Sequence, residues 1–147
     1  MAIKGEHESV ATILDADLII RGETGQFDLE AWLESRPEGQ SQLAAITVAE
    51  LWHGVERATS PHRAGRELYI RDIIESLPIL PYTRSTALEH ARIWAELESA
   101  GKMIGYYDLI VAATALEHGS AVATFNVRHF KVIQGLKVIE PRYHTAR

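Results

Sequence analysis

The sequence predicts an α/β domain built on a mainly parallel sheet with helices on both faces, and three observations lead there. Short apolar runs of strand length recur along the chain, at 12–14, 43–46, 77–80, 120–124 and 136–139. Segments with apolar residues at helical spacing lie between most of them. Strands that alternate with helices are joined by crossovers, and crossovers give parallel sheets whose faces the helices cover.

Residues 1–11 are a polar lead-in to a single domain over 12–147. Thr12–Leu14 reads as a buried strand ending in Asp15. Leu18, Ile19 and Ile20 follow, and Gly22 and Gly25 break that run. Leu29, Trp32 and Leu33 share one face of a helix over 28–35, with Asp28 as N-cap and Pro37 and Gly39 as its stop. After the apolar run Leu43–Ile46, Thr47 opens a helix to about Ala58. Ser60-Pro61 turns the chain into a longer helix, His62 to Glu75, whose inward stripe is Leu68, Ile70, Ile73 and Ile74. Leu77–Leu80 is a third strand among prolines. A helix from about Ser85 to Ala100 carries Leu88, Ala91, Trp94, Ala95 and Leu97 and ends at Gly101. Asp108–His118 is a helix stopped by Gly119, and Ser120–Thr124 and Leu136–Ile139 are the last strands.

Bulk properties narrow the function. A chain of 147 residues, 46% hydrophobic and 24% charged, suits one globular domain rather than a disordered polymer. The absence of cysteine removes disulfides, zinc–thiolate sites and a thiol nucleophile together, and suits a reducing cytoplasm. No apolar run approaches the ~20 residues that span a bilayer, and MAIKGEHESV lacks the apolar stretch of a signal peptide. A cytoplasmic protein is therefore expected. The net charge of −5 argues against a broad basic face for nucleic acid, so any such chemistry must come from a local site.

In open α/β sheets ligands bind beyond the carboxyl ends of the strands. Asp15, the Ile46–Glu50 stretch and Asn126 each follow a strand-like run, and Asp108, at a helix start, can reach the same edge. Each acid also has a local explanation. Asp15 and Asp17 stand where Asp caps a helix. Thr47-x-x-Glu50 has the form of a capping box. Asp108 lies in a first turn, where the helix dipole favours a carboxylate. Together they imply more, because crowded carboxylates repel unless protonated or bridged by a cation. Oxygen donors without neighbouring His or Cys suit Mg²⁺ or Mn²⁺ rather than zinc. Such an ion polarises a phosphate and activates water for in-line attack.

Four motifs carry a family resemblance. ILDADLII at 13–20 resembles the opening strand of PIN-domain nucleases, TVAELWHG at 47–54 their second motif, YDLIVAATALEHG at 107–119 their third and ATFNVRHF at 123–130 their fourth. Length and motif order are most similar to the VapC-type toxins of toxin–antitoxin modules, and the resemblance covers roughly residues 12–141. It implies a PIN-like three-layer α/β/α sandwich and a Mg²⁺- or Mn²⁺-dependent endoribonuclease. It also implies a homodimer that a cognate antitoxin neutralises. Asp15, Glu50 and Asp108 would be metal-binding acids, with Asp17 in support. Asn126 falls where many relatives carry a fourth acid, a departure that removes one charge. Thr47 and Thr124 are placed to bond the metal shell or a phosphate. A catalytically inactive scaffold is the rival reading. A haloacid-dehalogenase-type phosphatase, suggested by Asp15-x-Asp17, is a further one.

Arg128 and His129 adjoin Asn126, either as phosphate contacts or as a solvated loop. The remaining histidines, lacking metal-like spacing, read as surface or helix-end residues. Trp32, Trp52 and Trp94 read as core or partner-groove residues rather than base platforms, and Tyr106 and Tyr107 border the expected cleft. No Ser-His-Asp arrangement, phosphate-cradling Gly loop or dinucleotide fingerprint is present.

Overall fold

The computed structural model describes residues 10–142. Most of the expected lead-in, and the last five residues of the expected domain, lie outside that range. Five strands form one sheet: β1 (Thr12–Leu14), β2 (Ser41–Ala44), β3 (Ile79–Leu80), β4 (Ala121–Ala123) and β5 (Val138–Ile139). Their spatial order is β3-β2-β1-β4-β5, and every pairing is parallel. Seven helices connect them among the described residues: α1 (Ala16–Glu23), α2 (Leu29–Glu34), α3 (Ala45–Arg57), α4 (His62–Ser76), α5 (Arg84–Ala100), α6 (Tyr106–His118) and α7 (Val127–Lys131).

The layers follow from the two-residue period of a strand, which sends neighbouring side chains to opposite faces. Leu14 enters a core made with Leu18 and Ile19 of α1, Trp32 of α2, Leu51 and Val55 of α3 and Ile70 of α4. Its neighbour Ile13 enters the other core, with Ile93 and Leu97 of α5, Leu109 and Val111 of α6 and Phe130 of α7. The central strands β1 and β4 are buried along their whole length, which is why they read as short, mostly apolar runs rather than alternations. The expected three-layer α/β/α sandwich is the observed one.

Several local expectations are corrected. Helix α1 runs through Gly22 instead of breaking there. A Cβ on Gly22 would stand 2.7 Å from the Tyr69 hydroxyl and 2.9 Å from Leu29 Cβ, so glycine permits close packing of α1 on its neighbours. The Tyr69 hydroxyl is itself anchored on the Ile19 carbonyl at 2.8 Å and cannot easily withdraw. Gly22→Val is accordingly expected to lose about 1–3 kcal/mol by overpacking, read as a lower urea midpoint at unchanged slope.

Helix α3 starts at Ala45 rather than Thr47, because β2 passes into it without a loop. Ala44 is then the N-cap and has no side-chain bond to give, so the Thr47–Glu50 capping box is not formed. Helix α4 keeps Ile70, Ile73 and Ile74 of its expected stripe toward the core and loses only Leu68, whereas α5 is rotated from its stripe. Leu68 and Leu88 are exposed, while Ile70 and Ile73, and Thr86, His90, Ile93 and Leu97, face inward. Trp32 is buried and Trp52 packs at the core margin, but Trp94 is exposed. His90, expected at the surface, is buried beside it. The third strand is only Ile79–Leu80, and the last only Val138–Ile139. Helix α6 begins at Tyr106, two residues before Asp108, and ends at the expected Gly119, which takes the left-handed conformation (φ 66°).

Candidate active site

The strand order reverses between β1 and β4: from β1 the chain moves outward to β2 and β3, then returns to β4 on the other side. At such a switch point the loops leaving two adjacent strands part and open a crevice. Asp15 stands there. Its N–H continues the ladder to the Ala123 carbonyl at 2.9 Å. Its Oδ1 accepts the Ala16 N–H at 2.8 Å and caps α1, and its Oδ2 accepts the Thr124 hydroxyl at 2.7 Å. Capping and a place in the crevice are thus combined in one residue, which is only 6% exposed.

Asp17, in the first turn of α1, points to the same loop. Its Oδ2 accepts the Phe125 N–H at 3.0 Å and lies 3.3 Å from the Thr124 hydroxyl. Thr124 has one proton to offer and is closer to Asp15, so the two carboxylates compete for it. Thr124 Oγ1 also accepts the Asn126 N–H at 2.8 Å, which fixes the turn after β4. The other carboxylate oxygen of Asp17, Oδ1, is buried without a well-formed hydrogen bond.

Glu50 comes from α3 and Asp108 from the first turn of α6. Asp108 Oδ2 lies 3.2 Å from His129 Nδ1, and that nitrogen lies 2.8 Å from Asn126 Nδ2. Asn126 and His129 are three residues apart across the start of α7, a short helix not read from the sequence. Residues 127–131 are therefore helical rather than a loop, and the i, i+3 spacing brings His129 over Asn126. The sequence marks His129 as an alternative phosphate contact, and its bridge from Asn126 to Asp108 is what the helical spacing adds. Thr47, also in α3, is fully buried with its hydroxyl unpartnered.

The electrostatics join the acids into one group. Burial is the main reason that the Asp15 carboxyl rises to about 7; the charge of Asp17 adds to it, the Thr124 hydroxyl opposes it, and Asp108 and Glu50 raise it further. Burial also raises Asp17, against the lowering effects of the Phe125 N–H and of Arg21. Glu50 is raised by burial, then by the charges of Asp108 and Asp17. Of the five residues expected at the site, Asp15 and Asp17 meet at the Thr124 hydroxyl, which also accepts the Asn126 N–H; Asp108 is joined to Asn126 through His129, and Glu50 is near enough for the charges of Asp108 and Asp17 to act on it.

A cluster of four acids opposed by the single charge of Arg21 calls for a cation, and the acids offer oxygen donors throughout. Among the described residues no three acidic, histidine or cysteine side chains stand close enough together to hold a metal ion by themselves. An open set still suits Mg²⁺, which keeps several of its waters and takes few protein carboxylates. Asp17 Oδ1, without a well-formed hydrogen bond, is a hard donor of the right kind. The residues fit such an ion.

Comparison with known proteins agrees with this geometry. The PIN domain family matches the chain over residues 12–136. The chain is similar to ribonuclease VapC1 of Rickettsia felis, with 34% identity over 86% of this chain and 93% of that protein. In fold it is similar to VapBC2 of Rickettsia felis, solved bound to a DNA fragment from its promoter, with a TM-score of 0.80, 20% identity and coverage of 90% and 99% of the two chains. VapBC-5 of Mycobacterium tuberculosis, a member of the VapBC family of toxin–antitoxin systems, aligns with a TM-score of 0.73 and 26% identity over 90% of this chain and 99% of that one. The chain belongs to the PIN-domain family and, within it, to the VapC ribonucleases.

Proposed function

We propose that this chain is an endoribonuclease whose divalent cation, Mg²⁺ or Mn²⁺, is held by Asp15, Glu50 and Asp108, with Asp17 in support and Asn126 lining the site. The observation that carries the reading is the pair of buried Asp15 and half-buried Asp17 at the switch point, sharing one threonine proton and leaving one carboxylate oxygen without a hydrogen bond. The chemistry supplied by such a cation when bound is polarisation of a phosphate oxygen and acidification of water.

The protein's own groups do the placing. Thr124 holds Asp15 and Asp17 against the turn after β4, and the Asp15 cap locks that carboxylate to the start of α1. His129 restrains Asp108, and Asn126 restrains His129. The chain has no cysteine, and the Thr124 hydroxyl is engaged by Asp15, so direct hydrolysis of the phosphodiester is the expected reaction. The nuclease domain is taken to span 12–147, with 1–11 as its lead-in.

Kinship with the VapBC proteins supports a toxin role, with RNA as substrate, a homodimeric state and an antitoxin as partner. A groove of about 390 Å³ among α1, α2 and α4, walled by Phe27, Leu29, Leu33, Tyr69 and Ile73, offers an apolar seat for an antitoxin segment. The acidic crevice would welcome a basic side chain from it. Among the described residues no helix is long and apolar enough to cross a membrane, and a cysteine-free nuclease suits the cytoplasm. The test is cleavage of RNA by the purified protein with Mg²⁺ or Mn²⁺. Glu50→Gln and Asp108→Asn are each expected to reduce it about 100-fold or more. Metal-dependent cleavage that survives both substitutions unchanged would sink the assignment.

A further inference from the structure

Among the large apolar side chains exposed in the described residues, three aromatic rings are gathered around one buried histidine. Tyr106 is 65% exposed, Tyr82 47% and Trp94 43%. They surround His90, which is buried. The His90 and Trp94 rings stack at 5.6 Å, and Tyr82 and Tyr106 meet His90 edge-on at 5.9 and 6.2 Å. The Tyr82 hydroxyl and His90 Nδ1 are hydrogen-bonded at 2.8 Å, which holds these two rings against each other. Between the rings is a recess of about 410 Å³ whose floor is made by small or aliphatic residues, Ala45, Ala49 and Ile110.

The position of this recess matters more than its composition. Tyr82 follows the carboxyl end of β3, Ala45 follows that of β2, and Tyr106 opens the helix that carries Asp108. Asp15 and Thr124 follow β1 and β4, the next strands of the same edge. Adjacent strands are about 4.8 Å apart, so the recess lies one or two strand spacings, ~5–10 Å, from the acids. A phosphodiester held at the acids would present its neighbouring base to the rings.

We propose that the Tyr82–His90–Tyr106 recess is a stacking site for a base of single-stranded RNA next to the scissile phosphate. The occupant is argued from three features on the same edge: flat aromatic walls of which Tyr82 and His90 are tied together, a floor without charge, and continuity with the proposed phosphodiester site. Aromatic stacking tolerates every base, because every base has a π-face. It also suits an acidic protein, since it draws affinity from the base rather than from phosphate charge. This inference rests on the ribonuclease reading of the acidic crevice.

The test separates stacking from chemistry. Affinity for a fluorescein-labelled single-stranded RNA 12-mer is measured by anisotropy, with Ca²⁺ in place of Mg²⁺ and intactness checked on a gel. Hydrolysis of bis(p-nitrophenyl) phosphate, a phosphodiester without a base, is measured with Mn²⁺. Tyr106→Leu is expected to weaken RNA binding about 5- to 100-fold. Tyr106→Phe should remain within about twofold of wild type, and Tyr82→Leu should act like Tyr106→Leu. Hydrolysis of the base-free ester should be unchanged in all three. Three results would each overturn the stacking site: RNA affinity retained in both leucine variants, equal loss with RNA and with the base-free ester, or affinity loss that tracks dissociation of a dimer in light scattering. The last would assign this face to a second copy of the chain. If wild type hydrolyses neither RNA nor the small ester, the metal-site reading fails, while the binding comparison still decides the recess.

Discussion

Asp15→Asn is expected to lower RNA cleavage by about 100- to 1000-fold while making the metal-free protein more stable. The two effects have one cause. Asp15 is 6% exposed and its carboxyl is raised to about 7, chiefly by burial and then by Asp17. Holding it ionised in the fold therefore costs free energy, at most about 4 kcal/mol for a shift from 3.8 to about 7. Asparagine has nearly the same shape and no charge. Its Oδ1 can still accept the Ala16 N–H, and its amide can donate to Thr124, whose proton is then free for Asp17. In EDTA at pH 8 the variant should gain about 1–3 kcal/mol, less than the ceiling because Asp17 carries part of the repulsion. The gain is read from urea unfolding. A variant that is inactive and also less stable would mean that Asp15 serves the fold through its charge, contrary to the crevice described above.

The second large effect is on the pH dependence of stability, with and without cation. Asp15 and Asp17 both titrate higher in the fold than in the unfolded chain. Between about pH 4 and 7 the folded protein thus retains protons that the unfolded chain has released. The stability contributed by neutral Asp15 is complete below pH 4, falls as the pH rises, and is gone above about 7. A divalent cation needs the ionised form, so its stabilising effect grows over the same range. At a cation concentration 100 times its dissociation constant the stabilisation is about 2.7 kcal/mol, which for a chain of this size raises Tm by roughly 5–10 °C. The expected outcome is a Tm gain from Mg²⁺ or Mn²⁺ that is large at pH 8 and small at pH 5. It should be absent in Asp15→Asn, and the difference between the two proteins isolates this group from the other carboxylates. Equal gains at both pH values in both proteins would place the cation elsewhere.

Much of this site was legible without coordinates, and its parts were legible for different reasons. The strand ends at Leu14 and Ala123 are marked by short buried runs, and a parallel sheet gathers whatever follows them. Asp15 and Asn126 needed only that rule. Glu50 looked like a capping residue because Thr47 stands three residues before it. The direct passage from β2 into α3 gives the cap position to Ala44 instead, and Glu50 is left to face Asp108 and Asp17. The helical faces were less legible. Leu68, Leu88 and Trp94 fit an apolar stripe, but a stripe's phase is set by the neighbours against which the helix packs. Helix α5 buries Thr86 and His90 because Glu117 of α6 accepts from the Thr86 hydroxyl at 2.5 Å and because Tyr82 meets His90. Neither partner is visible from the period of α5 alone.

The sequence by itself determined the α/β class, the order of its elements and the acids at the strand ends, since these depend on local pattern and on the general behaviour of parallel sheets. Only the tertiary structure decided what those acids are to one another. Thr124 bonds Asp15 across 109 residues, and the Phe125 N–H reaches Asp17 across 108. Both contacts exist because β1 and β4, distant in the chain, pair at the switch point. Burial and charge proximity set a carboxylate's character, and both arise from long-range packing, which no local pattern of residues encodes.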